Sequence, residues 1–126
     1  MSKTGRPVSP HVSIYSFPIA ALTSIAIRIS GMSLSIGAFG VACLELTGGS
    51  GSSLEFVQSI ADMDSIVVPA AAKTAVAFPF IYHYLGGLRH FYWDTTPEVL
   101  TTADVEKASY AVVGGSVILT TASLFL

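Results

Sequence analysis

Formal charges are spread so unevenly along this chain of 126 residues that three long stretches are left nearly free of them, and that spacing restricts the chain to a small set of folds. Ala108 to Leu126 is nineteen residues without Asp, Glu, Lys or Arg, about the length a helix needs to cross a bilayer core. Val12 to Leu44 carries one charge, Arg28. Ser65 to Trp93 is less clean and tolerates Lys73, His83, Arg89 and His90. With 52% hydrophobic and 11% charged residues, the chain has too little polar surface for a soluble domain of this size. The expected fold is an all-α membrane protein of one domain (1–126), with three transmembrane helices at about 18–46, 65–93 and 106–126 and a short N-terminal amphipathic segment. The first span is expected to open at Pro18, a residue suited to a first turn.

A net charge of −2, with no basic tract and no Gly-rich phosphate loop, gives no reason to expect nucleic acid. The single cysteine, Cys43, rules out an intrachain disulfide and a Cys-ligated iron–sulfur cluster within the chain. The N-terminus MSKTGRPVSPHVSIY has no apolar signal core and few arginines, so any targeting segment is expected to be either absent or already removed. GGSGSS, expected to be a flexible tip, leads into the amphipathic stretch LEFVQSIADMD, and DTTPEVLTTADVEKAS reads as a longer polar loop between the second and third spans. Lys3, Arg6, Arg89 and Lys107 flank one side and the 47–67 loop has no basic residue. The positive-inside rule therefore puts the N-terminus and second loop in the matrix or cytoplasm.

A polar side chain held in hydrocarbon is costly and generally has a partner or a function. In FPFIYHYLGGLRHFYWD, His83, Gly87, His90 and Asp94 follow at separations of four, seven and eleven from the first, which at 100° per residue keeps them within about 40° of one line. Gly86 and Gly87 remove bulk beside His83, so that something flat, such as a porphyrin, or another backbone can approach. In SIAIRISG, Ser24, Arg28 and Gly31 share a face of the first helix, with Phe17 two turns before Ser24 on the same side. If the two helices run antiparallel and start level at Phe17 and Trp93, Arg28 and His83 both lie roughly 15 Å below that end. A guanidinium there needs anions, and haem propionates match its planar fork. His83 is read either as a metal or haem ligand or as an interhelical hydrogen-bond donor, and Ser24 either as a ligand contact or as a serine bonded to its own backbone. Lys73 reads as interfacial, and Cys43 and the Gly114–Gly115 pair as packing.

RPVSPHVSIY, SIAIRISG and FPFIYHYLGGLRHFYWD, in that order and at natural spacing, closely resemble the large cytochrome b anchor subunit of succinate dehydrogenase, respiratory complex II. That family's pattern is RP-S-PH–IY, then S-I-x-x-R-x-(S/T)-G, then H-x-x-x-G-(I/L)-R-H-x-x-W-D, and the likeness runs from about Arg6 to Leu126. The resemblance implies half of a haem-binding helical bundle, completed by a small second anchor subunit that supplies the other axial histidine. It implies haem b with His83 as an axial iron ligand, His90 and Arg28 near the propionates, and Ser24 and Arg28 at a ubiquinone site, with Phe17 at its entrance. It also implies an iron–sulfur subunit and a flavoprotein subunit as partners, surrounding membrane lipid, and a mitochondrial inner membrane or, alternatively, a bacterial cytoplasmic membrane. No bond chemistry is assigned to this chain alone: electrons from succinate reach quinone through the complex. Many members carry His directly before the arginine, where this chain has Ile27. A haem-less structural anchor of the same complex and a fumarate-reducing variant are the alternative readings. An ion-channel subunit is disfavoured, because the ionisable residues gather at one end.

Overall fold

The computed structural model describes Gly5 and residues 7–126; Lys3 and Arg6, used above for orientation, lie outside the described residues. A single 3-10 turn, His11–Ile14, with every residue exposed, stands where the amphipathic segment was expected. Four helices follow: α1 Ile19–Gly48, α2 Ser52–Ala61, α3 Val67–Thr95 and α4 Thr102–Ser123. Pro18 is the N-cap of α1, in extended backbone.

The expected span positions fall on α1, α3 and α4, with two differences in the connections. GGSGSS is a pinned turn instead of a loose tip. Gly49 and Gly51 take φ of 91° and 94°, which L side chains avoid, and the Glu45 carboxylate accepts hydrogen bonds from the amides of Gly51 (2.8 Å) and Ser53 (3.0 Å) and from the Ser53 hydroxyl. That carboxylate caps the first turn of α2, whose open amides need acceptors. The second loop is shorter than its composition suggests, because α3 runs on to Thr95 and α4 begins at Thr102, four residues before the expected start. Thr101 explains the early start: its hydroxyl accepts from the Asp104 amide (3.2 Å) and donates to the Asp104 carboxylate (2.6 Å). A reciprocal cap of this kind starts a helix regardless of nearby charge.

α1 and α3 run antiparallel, as do α3 and α4. Thr23 of α1 meets Arg89 of α3 while Ile27 meets Gly86, and Arg89 meets Ser109 of α4 while Leu85 meets Gly115. The seam is small and polar. Among the described residues only Ile27, Tyr82 and Val112 are buried hydrophobics, whereas Thr23, Ser30, Arg89, Ser109, Ser116 and Thr120 are buried polar residues. Small and hydroxylated residues at the interface, with large apolar ones outside, is the pattern of helices packed in lipid. Phe39, Phe91 and Ile118 face outward at 71%, 75% and 68% exposure. The surface is 9429 Å², against about 6,400 Å² for a compact soluble monomer of the same mass, so this chain needs lipid or other subunits to cover it.

Among the described helices, α1 alone is apolar enough over its length to cross a membrane by composition. α3 and α4, of 29 and 22 residues, extend about 43 and 33 Å at 1.5 Å per residue, longer than a hydrocarbon core of about 30 Å. Their mean hydropathy is lowered by Lys73, His83, Arg89 and His90 in α3 and by Asp104, Glu106 and Lys107 at the start of α4.

Candidate cofactor flank

The packed face of α3 is the line Tyr82, Gly86, Arg89, all buried. At 100° per residue, His83, Gly87, His90 and Asp94 lie about 100° round the helix from that line. On α1 the packed line is Thr23, Ile27, Ser30, and Ser24, Arg28 and Gly31 stand to one side of it. Because the helices are antiparallel, these two offset rows fall on the same flank of the pair. α4 packs on the opposite flank, against Leu85 through Gly115 and against Thr23 through Ser109. One flank is thus closed by α4, and the open flank carries Ser24, Arg28, His83 and His90. Ser24 is half-buried and the other three are exposed.

His83 is the best ordered of these by its contacts. Its ring lies across Gly31, so closely that a Cβ there would come within 2.6 Å of Cε1 and 3.0 Å of Nδ1. Nδ1 stands 2.9 Å from the Ile27 carbonyl oxygen and 3.3 Å from Ser30 Oγ. A carbonyl only accepts, so Nδ1 carries a proton and donates, and in the neutral ring Nε2 then presents its lone pair. Nε2 has no hydrogen-bond partner among the described residues. A backbone carbonyl on one ring nitrogen with the other left free is how proteins orient a histidine for a metal. Among the described residues no three metal-ligating side chains come together. The two glycines beside His83 divide the tasks expected of them jointly. A Cβ on Gly86 would come within 2.6 Å of Ile27 Cδ1, so Gly86 admits α1, whereas one on Gly87 meets nothing within 4 Å and leaves the open flank clear.

The first helix meets the expected level. Ile27 O touches His83, so Arg28, one residue on, is at His83's depth. Ile27 itself points inward, 8% exposed, into the Gly86 notch. Its side chain therefore serves the α1–α3 seam, and its carbonyl serves His83. Phe17 is half-exposed and packs edge-on to Tyr15 at 4.9 Å. Asp94 is exposed, as its place on the stripe requires.

Sequence reasoning missed Arg89, treating it only as a basic flank for orientation. Its side chain is 7% exposed, donates to Ser109 Oγ (3.1 Å) and Thr23 Oγ1 (3.4 Å), and lies 4.6 Å from the centre of the Trp93 ring. Trp93 in turn stands edge-on to His90 at 5.4 Å. The available signal was the spacing Tyr82–Gly86–Arg89, a second helical line beside the His83 stripe. The missing piece was that hydroxyls from two other helices would meet it. A cleft of about 940 Å³ lies at the other end of the bundle under α2, between Gly40, Val41, Phe56, Ile60, Val76 and Phe80. Its walls are almost wholly apolar with Lys73 as the lone charge, so no set of polar groups converges there as it does on the open flank.

A small polar seam, a lipid-type exterior and one uncovered flank define a helical membrane subunit that does not close on itself. Within that class the chain belongs to the succinate dehydrogenase/fumarate reductase transmembrane subunit family, whose model matches residues 2–123. It is similar to the succinate dehydrogenase cytochrome b560 subunit, mitochondrial, of Dictyostelium discoideum, with 33% identity over 122 residues, 96% of this chain and 62% of that protein. The corresponding Bos taurus subunit is 38% identical over 109 residues, 85% of this chain and 63% of that protein. The succinate dehydrogenase cytochrome b556 subunit of Paracoccus denitrificans is 31% identical over 129 residues, covering all of this chain and 95% of that protein. The chain thus spans about three fifths of the length of these mitochondrial relatives and nearly all of the bacterial one.

Proposed function

We propose that this chain is the large cytochrome b membrane anchor of a succinate:quinone oxidoreductase, spanning the membrane three times through α1, α3 and α4. In this reading His83 Nε2 would hold the iron of a haem b on the open flank, and a second, smaller anchor subunit would cover that flank and supply the other protein ligand. The observation that carries it is the seating of His83: Nδ1 stands 2.9 Å from the Ile27 carbonyl oxygen, which leaves Nε2 free on a face that none of the described helices covers. Gly31 seats the ring and Gly87 leaves room beside it. Relatives named as cytochromes b560 and b556 support a haem of this type.

Arg28, at the depth of His83 and on the same flank, provides a planar cationic fork for propionate carboxylates, and His90, two turns nearer the end of α3, provides a further donor. Ser24, one turn before Arg28, presents a hydroxyl that can hold a quinone oxygen. When bound, the haem supplies a one-electron carrier whose potential its axial ligands and surroundings set. The chain's own residues bind and orient: they hold quinone at the basic end of the bundle, where water and protons are near. Iron–sulfur and flavoprotein subunits deliver electrons from succinate, and the basic end faces the matrix or cytoplasm. A haem-less anchor with the same quinone contacts is the second reading, separated by an absorption spectrum.

The quinone assignment is tested by Ser24→Ala and Arg28→Ala in the assembled complex. A hydrogen bond to a charge-bearing group is worth about 1.5–3 kcal/mol, so quinone reduction is expected to fall about ten- to hundredfold while succinate oxidation by a soluble dye persists. Full quinone reduction in both variants contradicts it.

A further inference from the structure

Among the described residues, Arg89 is a buried cation without a counterion. Its hydrogen bonds go to two neutral hydroxyls, Thr23 Oγ1 and Ser109 Oγ, its Nε has no acceptor, and among the described residues no carboxylate pairs with it. Tyr82, its other polar neighbour on the packed line of α3, sends its hydroxyl to the Thr23 carbonyl (3.4 Å). The guanidinium joins three helices, since it reaches Thr23 on α1 and Ser109 on α4 while stacking on Trp93 of its own helix. Joining helices does not need a charge. A neutral amide or a well-packed apolar residue would bridge the same seam without the cost of taking an ion out of water.

The position of the charge supplies the reason. Thr23, held by Arg89, immediately precedes Ser24, and Trp93, stacked on Arg89, meets His90 edge-on. The guanidinium therefore sits behind the edge of the open flank that carries Ser24 and Arg28. In a low-dielectric surrounding an unpaired charge acts over a longer range than it does in water. We propose that Arg89 is a positioning residue for the quinone edge: it fixes Thr23 and hence Ser24, and its uncompensated charge favours negative charge on a quinone oxygen as electrons arrive. This rests on the quinone and haem reading above. Because the charge also lies in the bundle that would hold the haem, it favours the reduced, more negative form of that group.

The test compares Arg89→Met, which removes the charge but keeps length, with Arg89→Lys, which keeps the charge without the fork. Both are made in the membrane-assembled complex and measured with a short-chain ubiquinone. For Arg89→Met, kcat for quinone reduction is expected to fall about tenfold with KM little changed, and the haem midpoint potential to move lower with the absorption spectrum retained. Arg89→Lys is expected to recover most of both. Equal behaviour of the two variants, whether both near wild type or both impaired, overturns the role of charge. Should Arg89→Met fail to assemble, Arg89→Lys decides alone: kcat and potential near wild type support the proposal, and a loss as large as that of Ser24→Ala overturns it. Failure of the underlying reading looks different, since Ser24→Ala and Arg28→Ala would then leave quinone reduction intact.

Discussion

Gly31→Ala puts the seating of His83 under direct strain. The added Cβ would stand 2.6 Å from Cε1 and 3.0 Å from Nδ1 of the imidazole, where ordinary contacts begin at 3.4 Å. The ring must retreat by roughly an ångström, which carries Nδ1 out of hydrogen-bond range of the Ile27 oxygen, now 2.9 Å away. Overpacking of this kind costs about 1–3 kcal/mol, and the lost hydrogen bond about 1 kcal/mol. Alanine in place of glycine returns about 1 kcal/mol of helix propensity, which offsets the lost hydrogen bond and leaves the overpacking cost to fall on the ligand contact. A net loss of about 1–3 kcal/mol at the ligand corresponds to roughly ten- to hundredfold weaker haem retention. Haem-to-flavin ratio and the reduced-minus-oxidised spectrum of the purified complex measure it. Gly40→Ala, whose Cβ meets nothing within 4 Å, is the control and should keep full haem. Wild-type haem content and spectrum in Gly31→Ala would refute the claim that this glycine seats the ligand.

Gly86→Ala brings a Cβ within 2.6 Å of Ile27 Cδ1 and should lower the thermal midpoint of the detergent-solubilised complex, while Gly86→Ala with Ile27→Ala should lose less than the two singles together, by about 1 kcal/mol; strict additivity would mean the two residues do not share the notch. At the start of α4, donation from the Thr101 hydroxyl and then from Lys107 holds the Asp104 carboxyl below its ordinary range. A depressed carboxylate stabilises the fold above its unfolded pKa, and that contribution is lost as pH falls through the folded value. Amide protection in the first turn of α4, corrected for intrinsic exchange, should therefore decline below the usual carboxylate range in wild type and already be weak at neutral pH in Thr101→Ala. Equal protection in both would remove the cap from the account.

The legible parts of this fold were those written in side-chain type and period. Stretches with few or no charges located α1, α3 and α4, and a 100° period drew His83, Gly87, His90 and Asp94 into one row. What the sequence left hidden depends on backbone atoms and on third partners. The Ile27 carbonyl that orients His83 is invisible in residue type, and Ile27, standing where many family members carry His, turns inward to fill the Gly86 notch. Arg89 looked like a flanking charge because nothing local in FYWD announces that Thr23 and Ser109, 66 and 20 residues away, will receive it. The early start of α4 was hidden for a similar reason: absence of charge marks the apolar part of a helix, while its cap is set by Thr101 and Asp104.

On the proposed reading, His83 Nε2 reaches out of this chain to an iron shared with a second subunit. The reduced-minus-oxidised absorption spectrum of the complex carrying His83→Ala, purified with its partner subunits, tests it most directly. Loss or marked displacement of the haem b bands, with the subunits still assembled, is the expected result, and a spectrum unchanged from wild type would contradict it.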